Sequence, residues 1–383
     1  MAANEEILMP EPALRADNEE IALIESYAIL NLGDEDVVDM NDPNSVNRLE
    51  QKILSNMRTQ ESHYLVDPDY PQTIQNGEIQ WHMRILLIDW LMEVCDEFAL
   101  CRETFQLAVL YTDLYLSRIL CDIHQLQLLG ASSLLMASKL EEFECLKVAK
   151  IVFTTDNGFT KEQVIDMEQK ICKVLGFRLN PPTLNQLMNY FMAKWDAFAK
   201  ENLTNESSLA NPNLIPIFKS ENAEDYQRYR SVAQAIDLAI LDLGHYKFDK
   251  RLLIAACLYI QIGLFYRIFT RQAVSMSPEV ERLLVQIEQK KQNREFTVLM
   301  ETFLTNNFEI VSLREILPAI KYISRYFALD PLKQEFPMIL RRNQRSSTQE
   351  EFYSYQPHVR DGMSFVKYIK RTFNEVGPSY NKL

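Results

Sequence analysis

The residues best suited to metal chemistry lie in one region of this sequence. Cys121 and His124 stand three positions apart, with Cys95 and Cys101 upstream, and thiolate and imidazole groups are the usual ligands of zinc. Their spacing matches no common zinc site, and isolated cysteines often behave as small buried hydrophobes. The sequence also contains no phosphate-binding loop, dinucleotide fingerprint, zinc-protease motif or nucleophile elbow. We therefore expect no enzyme, no metal and no other cofactor.

A second kind of chemistry, recognition by an apolar surface, is indicated by residues 83–95. Ten of these thirteen residues are apolar, which is more than one buried helix face requires. One stripe at i, i+3, i+4 and i+7 consists of Met83, Leu86, Leu87 and Trp90. Such a stripe belongs to a core more often than to a binding site. Other apolar residues can serve the core, however, so a second face remains available for a partner: Ile85, Ile88, Leu91 and Met92.

Charge is distributed unevenly along the 383 residues. Residues 1–45 hold twelve acids and one base, Arg15, whereas the rest holds 41 acids and 39 bases and is nearly neutral. This balance argues against nucleic acid as a partner, because a phosphate-binding protein needs a basic surface. The longest nearly apolar run, residues 252–266, is shorter than a membrane span and contains Gln261. With no CxxC pair and no secretory leader, we expect a soluble intracellular protein in a reducing compartment.

Helical periodicity dominates the chain, and only nine glycines are available for turns. Asp42-Pro43 begins one helix, which ends near Tyr64. A series of further helices is predicted at residues 82–98, 102–118, 125–142, 146–154 and 161–175, and, after Pro181-Pro182, at 183–195, 226–242 and 248–265. Thr160 and Gln163 form a capping box for the helix that begins at Lys161.

An internal repeat indicates that the fold is duplicated. Residues 128–136 align with residues 252–260, and the small residues Ala131, Ser132 and Ser133 meet Ala255, Ala256 and Cys257. Small residues let neighbouring helices approach closely, so each segment is predicted to be the central helix of its own bundle. A helical solenoid is the alternative, but no period of solenoid length recurs.

The predicted architecture is all-α, with two tandem five-helix bundles and an extra N-terminal helix. We expect an acidic N-terminal extension at 1–41, the N-terminal helix and first bundle at 42–181, the second bundle at 182–340 and a C-terminal extension at 341–383. The second bundle is predicted to carry polar insertions at 197–222 and 270–300. Within the N-terminal extension, Asp17 to Leu32 is a predicted short helix that either packs on the body or binds a partner.

Several segments resemble the cyclin family in order and spacing. They are Met83-Arg-Ile-Leu-Leu-Ile-Asp-Trp-Leu-Met-Glu-Val94, Arg102-Glu-Thr-Phe-Gln-Leu-Ala108, Ala137-Ser-Lys-Leu-Glu-Glu142, residues 155–168 and Pro182-Thr-Leu-Asn-Gln186. The resemblance is to cell-cycle cyclins with two cyclin boxes. Residues 89–95 and 236–242 look most like E-type (G1/S) cyclins, whereas residues 160–185 look more like A-type cyclins.

The resemblance implies a regulatory subunit that binds and activates a cyclin-dependent protein kinase. In this family a lysine and a glutamate of the first box bind the kinase, and the matching positions are Lys139 and Glu168. Charge-assisted hydrogen bonds make such a pair effective. Spacing alone would favour two solvated surface charges. The resemblance further implies a buried structural pair, Arg84 and Asp113.

A shallow groove that captures Arg-x-Leu segments of substrates or inhibitors is also implied. It carries over to Met83, Leu86, Leu87 and Trp90, with Glu93 for the basic group of the peptide and Gln127 for its backbone. Ile123 departs from the family, because relatives often carry a basic residue at that place.

Two other functions stay open at this stage. One is a cyclin-fold adaptor that binds transcription or chromatin proteins without a kinase, for which Lys139 and Glu168 would be dispensable. The other is a helical metal-dependent enzyme, which would require Cys121 and His124. We expect the protein in the nucleus and cytoplasm, controlling cell-cycle progression at G1/S.

Overall fold

The computed structural model describes residues 43–204, 223–265 and 291–327. The chain divides into two compact units, residues 1–65 and 66–383. In the first unit the described element is helix α1, Pro43–Glu61, with proline in its first turn as predicted. The helix predicted at Asp17 to Leu32 and the C-terminal extension lie outside the described residues.

Six helices and a 3-10 turn form the first half of the second unit. A short helix, α2 (Tyr70–Thr73), precedes the bundle helices α3 (Trp81–Glu97), α4 (Arg102–Leu116), α5 (Leu126–Glu141), α6 (Val148–Thr154) and α7 (Lys161–Val174). The 3-10 turn, Ile123–Gln125, leads directly into α5. Thr160 and Gln163 form the predicted capping box, with both side-chain-to-backbone hydrogen bonds present. Every predicted bundle helix is found here, with its ends within about two residues.

The described part of the second half consists of a 3-10 turn, Leu243–Lys247, and five α-helices. The helices are α8 (Leu184–Thr204), α9 (Ala223–Ile240), α10 (Lys250–Phe265), α11 (Lys291–Phe308) and α12 (Leu313–Phe327). Helix α8 extends to Thr204 and α11 begins at Lys291, so helix occupies the first part of the insertion predicted at 197–222 and the last part of that at 270–300. The rest of both insertions lies outside the described residues. All regular secondary structure of the described ranges is helical, which confirms the all-α prediction.

The repeated segments are the central helices of the two halves, as predicted. Helix α5 packs chiefly on α4 and α7, and α10 packs chiefly on α12 and α9. The small residues of both helices are completely enclosed: Ala131, Ser132, Ser133, Ala255, Ala256 and Cys257. Their lack of bulk lets the neighbouring helices approach closely.

Polar contacts join the two halves across their shared boundary. The Glu103 carboxylate accepts hydrogen bonds from Thr183 Oγ1 at 2.5 Å and Asn185 Nδ2 at 2.9 Å. Arg102 Nε lies 3.2 Å from Asp237 Oδ2, and the Asp237 side chain is fully buried. Since Glu103 and Arg102 begin α4, the start of this helix is fastened to the second half.

Candidate functional site

The apolar residues of helix α3 lie on two faces of the helix. Ile85, Ile88, Leu91 and Met92 are buried, as their predicted core role requires. On the other side Leu86 is 45% exposed, and Met83 and Trp90 are half-buried. The second apolar face predicted from the sequence is therefore present on the surface.

Leu87 is the member of the predicted stripe that lies buried. Only 6% of this residue is exposed, and its side chain packs against Gly130 of α5. A Cβ atom placed on Gly130 would lie 2.7 Å from Leu87 Cδ1, so the absence of a side chain at Gly130 is what lets Leu87 sink between the helices. Leu87 is thus chiefly a packing residue, and the exposed stripe consists of Met83, Leu86 and Trp90.

Two carboxyl groups lie beside this stripe. Asp89 and Glu93 are one turn apart on α3 and share the side of the helix that carries Leu86 and Trp90. Asp89 is 4% exposed, and burial followed by repulsion from Glu93 raises its pKa to about 8. Burial also raises the pKa of the half-buried Glu93. The apolar stripe therefore ends in an acidic pair that suits a cationic group.

The corner between α4 and α5 carries further exposed apolar residues. Ile119, Leu120 and Ile123 are all at least partly open to solvent, and Gln127 is exposed on the first turn of α5. The carboxylate of Asp122 accepts from the His124 backbone N–H at 2.8 Å and thereby starts the 3-10 turn. Ile123 and Gln127 thus stand on one short, ordered segment.

Gln75 fixes this corner, and sequence reasoning missed it. Its Nε2 donates to the carbonyls of Leu116 at 2.6 Å and Ile119 at 2.8 Å, and its Oε1 accepts from the Cys121 N–H at 2.9 Å. The residue is completely buried although glutamine is normally exposed. The sequence does not indicate that Gln75 is buried, because this residue lies in a polar stretch that resembles a connector.

Arg84 and Asp113 lie together in a buried, bidentate ion pair. Arg84 Nε and Nη2 each donate to an Asp113 oxygen at 2.6 Å. The remaining arginine donors reach the second half, at the carbonyls of Leu241 (2.9 Å) and Ile240 (3.0 Å). The pair therefore joins α3 to α4 and both helices to the end of α9.

Two tyrosines complete this cluster and were also missed from the sequence. The hydroxyls of Tyr70 and Tyr246 donate to the two Asp113 oxygens at 3.0 and 2.6 Å. Burial, reinforced by the Asp113 charge, raises the pKa of both tyrosines well above its ordinary value. Burial lowers the pKa of Arg84, but the Asp113 carboxylate more than compensates, so the net shift is upward. The guanidinium of Arg84 thus keeps its charge inside the protein.

Lys139 and Glu168 come together on the surface, although 29 residues separate them in sequence. Lys139 Nζ lies 2.5 Å from Glu168 Oε1, and the two side chains are 41% and 18% exposed. Lys139 belongs to the last turn of α5, and Glu168 lies near the middle of α7. The two helices are aligned by a buried hydrogen bond in which Ser132 Oγ donates to the Val164 carbonyl at 3.2 Å.

Large apolar side chains are exposed on the elements that carry this pair. Leu140 directly follows Lys139, and Ile165 is three residues before Glu168, on the same side of α7. Phe143 and Phe177, which follow the ends of α5 and α7, are strongly exposed. We call Lys139, Glu168 and these four apolar residues the α5–α7 surface.

The end of α5 is held in place by Glu142. Its Oε1 accepts from the Cys101 N–H at 2.7 Å and from Thr104 Oγ1 at 2.5 Å, at the start of α4. Glu142 immediately precedes Phe143. The exposed aromatic ring therefore stands on an anchored backbone.

The described ranges provide no metal site. No group of three or more histidine, cysteine or acidic side chains within them could hold an ion. Cys121 is buried, and the pKa of its thiol is raised to about 11 by burial and the Asp122 charge. In these same ranges, no helix is both long and apolar enough to cross a bilayer.

The family model of the cyclin N-terminal domain matches residues 52–180, which include α3 and the α5–α7 surface. Residues 52–180 are thus similar to a cyclin N-terminal domain. This result confirms the resemblance to cell-cycle cyclins, and curated relatives extend it to the E, A and B types.

Three curated relatives illustrate what this chain is similar to. The G1/S-specific cyclin-E of Hemicentrotus pulcherrimus is 35% identical over 46% of this chain and 39% of its own length. The G1/S-specific cyclin-E1 of Gallus gallus is 33% identical over 54% of this chain and 47% of its own. Cyclin-A2 of Bos taurus is 45% identical over 31% of this chain and 28% of its own. The chain thus spans half or less of the curated cyclins it matches.

Among solved structures, the match to a viral cyclin from herpesvirus saimiri covers 72% of this chain and 98% of the viral chain. Its sequence identity is 18% and its TM-score is 0.45.

Proposed function

We propose that this chain is a regulatory subunit that binds and activates a cyclin-dependent serine/threonine protein kinase through the α5–α7 surface. The observation that supports this proposal is the exposed ion pair Lys139–Glu168 amid exposed Leu140, Phe143, Ile165 and Phe177. Exposed apolar groups around a few charged ones are typical of an interface. Desolvation on binding would strengthen the hydrogen bonds that Lys139 donates to, and Glu168 accepts from, backbone groups of the kinase.

The test is co-purification of candidate cyclin-dependent kinases with wild-type chain and with Lys139→Ala and Glu168→Ala variants. We expect each substitution to weaken retention by about tenfold, equivalent to about 1.4 kcal/mol, and to lower kinase activity in parallel. Lys161→Ala and Glu162→Ala are matched controls, because both residues are exposed on the first turn of α7. Equal retention and activation by all four variants would contradict the proposal, as would a wild type that retains no kinase.

The finer proposal is that the complex acts at the G1/S transition and resides in the nucleus and cytoplasm. Its support is the similarity to the two G1/S-specific cyclins E, beside which A- and B-type relatives match equally well. Depletion of the chain from dividing cells should enlarge the population with unreplicated DNA, as measured by flow cytometry. Accumulation of cells with replicated DNA would instead favour a later stage.

We also propose that the exposed face of α3 docks Arg-x-Leu segments of substrates or inhibitors. Partial exposure of Met83, Leu86 and Trp90 beside the acidic Glu93 supports this role. A Trp90→Ala variant should bind such a peptide about tenfold more weakly by fluorescence anisotropy. Trp81→Ala is the matched control, because Trp81 is an exposed tryptophan at the start of the same helix. If Trp90→Ala bound the peptide with unchanged affinity, the proposed docking on α3 would be wrong.

A further inference from the structure

Asp89 is a buried acid that the functions proposed so far do not use. It lies on α3 between Leu86 and Glu93, at i+3 from the first and i−4 from the second. It is 4% exposed, and no side-chain hydrogen bond or ion pair reaches it within the described ranges. A largely buried carboxylate without a partner is destabilised, so a group of opposite charge at this place would be favoured.

The charges nearest to Asp89 in the fold offer no such partner. Glu93 is an acid and repels the ionised form of Asp89. The described helices that pack most closely on α3 are α4 and α5, and their basic residues are paired elsewhere. On α4, Arg102 pairs with Asp237, Glu103 binds Thr183 and Asn185, and Asp113 binds Arg84. On α5, Lys139 pairs with Glu168, and Glu141 is a further acid. The other charged or titratable residues of α3 itself are His82, Arg84, Asp96 and Glu97.

We propose that docking of a cationic side chain beside Glu93 makes Asp89 release its proton, so that peptide binding on α3 is coupled to proton release. This inference rests on the proposed groove and specifies how the groove responds to pH. In the free protein below about pH 8 the carboxyl keeps its proton, because no cation of the described ranges balances its charge. When a guanidinium or ammonium group arrives, the O–H bond of Asp89 breaks and the proton passes to solvent. The new carboxylate and the ligand then form an ion pair shielded from water.

The pKa of Asp89, about 8 in the free protein, defines the range of the effect. Below this pH each docking event must expel a proton, so the apparent affinity rises with pH by up to about tenfold per unit. Above it Asp89 is already ionised, and the affinity becomes independent of pH. A ligand that lacks the positive charge should show neither effect.

The experiment is isothermal titration calorimetry of the full chain with a ten-residue synthetic peptide that carries one arginine two positions before a leucine. Measurements run from pH 6 to pH 9, in two buffers with different ionisation enthalpies, to count released protons. We expect the affinity to rise steeply between pH 6 and pH 8 with release of close to one proton at pH 6.5. The same peptide with citrulline in place of arginine should bind more weakly, without proton release.

Three variants locate the proton. Asp89→Asn should bind the arginine peptide with an affinity that does not depend on pH, and Glu93→Gln should shift the rise to lower pH because it removes the repelling charge. His82→Gln should retain the wild-type profile, since this control removes the histidine on the same helix. A rise that persists in Asp89→Asn, or wild-type binding without proton release, would overturn the inference while leaving the groove intact. If neither peptide bound at any pH, both the proposed docking on α3 and the proton release would be contradicted.

Discussion

At the residue scale, Asp113 shows how a buried carboxylate is made tolerable. It accepts four hydrogen bonds, two from Arg84 and one each from Tyr70 and Tyr246. A carboxylate offers about four acceptor positions, so these donors saturate it. Burying this cluster costs little folding free energy only while all its members are present. Removal of any one of them leaves another polar group buried without a partner.

Arg84→Met should therefore lower the free energy of unfolding by about 3–5 kcal/mol, because the Asp113 charge would stay buried without its counterion. Urea denaturation measures this change. The double variant Arg84→Met, Asp113→Asn is the control, since a neutral amide needs no counterion, and it should recover part of the loss. Losses that simply add in the double variant would show that the two side chains do not act as a pair.

His245 predicts how the fold responds to acid. Burial lowers the pKa of this histidine to about 3, despite its hydrogen bond to the Asp242 carbonyl. The folded state holds the neutral ring, whereas the unfolded chain takes up a proton near pH 6.5. The resulting stability is present above pH 6.5 and is lost as the pH falls towards 3.

Between pH 6.5 and pH 5 the loss due to His245 should be about 2 kcal/mol, measured as the difference in unfolding free energy. His245→Asn should remove this part of the pH dependence. His124→Asn is the control, because His124 is exposed in the 3-10 turn. An identical acid response of wild type and His245→Asn would contradict the prediction.

At the scale of elements, the sequence predicts most helices because periodicity and caps are local. Helix α7 begins at the predicted capping box, and α3 was shifted by one residue from its predicted range of 82–98. Helix α8 extends beyond Trp195, its predicted end. The residues that follow are polar, and a polar stretch favours the prediction of a loop. The role of Leu87 was not predictable from a stripe alone, since the stripe does not say which neighbour approaches. Gly130, unusual within a buried helix, is the signal that was available.

Gly130→Ala tests the close approach of α3 and α5. The added methyl group would collide with Leu87, and overpacking of this kind costs about 1–3 kcal/mol, more than the helix preference of alanine returns. We expect a lower melting temperature by thermal unfolding. In a Leu87→Ala background the same change should become neutral or stabilising. A loss that is equal in both backgrounds would exclude the collision as its cause.

At the scale of the whole molecule, the two helical halves of residues 66–327 share their polar interior. Arg84 binds carbonyls of residues 240 and 241, and Glu103 binds Thr183 and Asn185. The sequence predicted the pair Arg84–Asp113 through family resemblance, but not that its remaining donors cross to the other half. Side-chain contacts over such separations leave no local pattern. Gln75, Tyr70 and Tyr246 were missed for the same reason.

This sharing predicts that the two halves unfold together. Differential scanning calorimetry should show one main transition, with a calorimetric enthalpy close to the van't Hoff enthalpy. The Arg84→Met variant, which loses the contacts to Leu241 and Ile240, should broaden the transition. Two separate transitions in the wild type would show that each half is independently stable.

The Asp113 cluster also has a consequence for protein synthesis. A ribosome delivers Tyr70, Arg84 and Asp113 well before Tyr246, Ile240 and Leu241, yet all six take part in the cluster. A nascent chain that ends after the first half therefore holds a carboxylate without its last donor and a guanidinium without its backbone acceptors. The first half can therefore reach its final packing only after residue 246 has left the exit tunnel. The cluster thus sets a lower limit on the length of nascent chain that can complete folding of the first half.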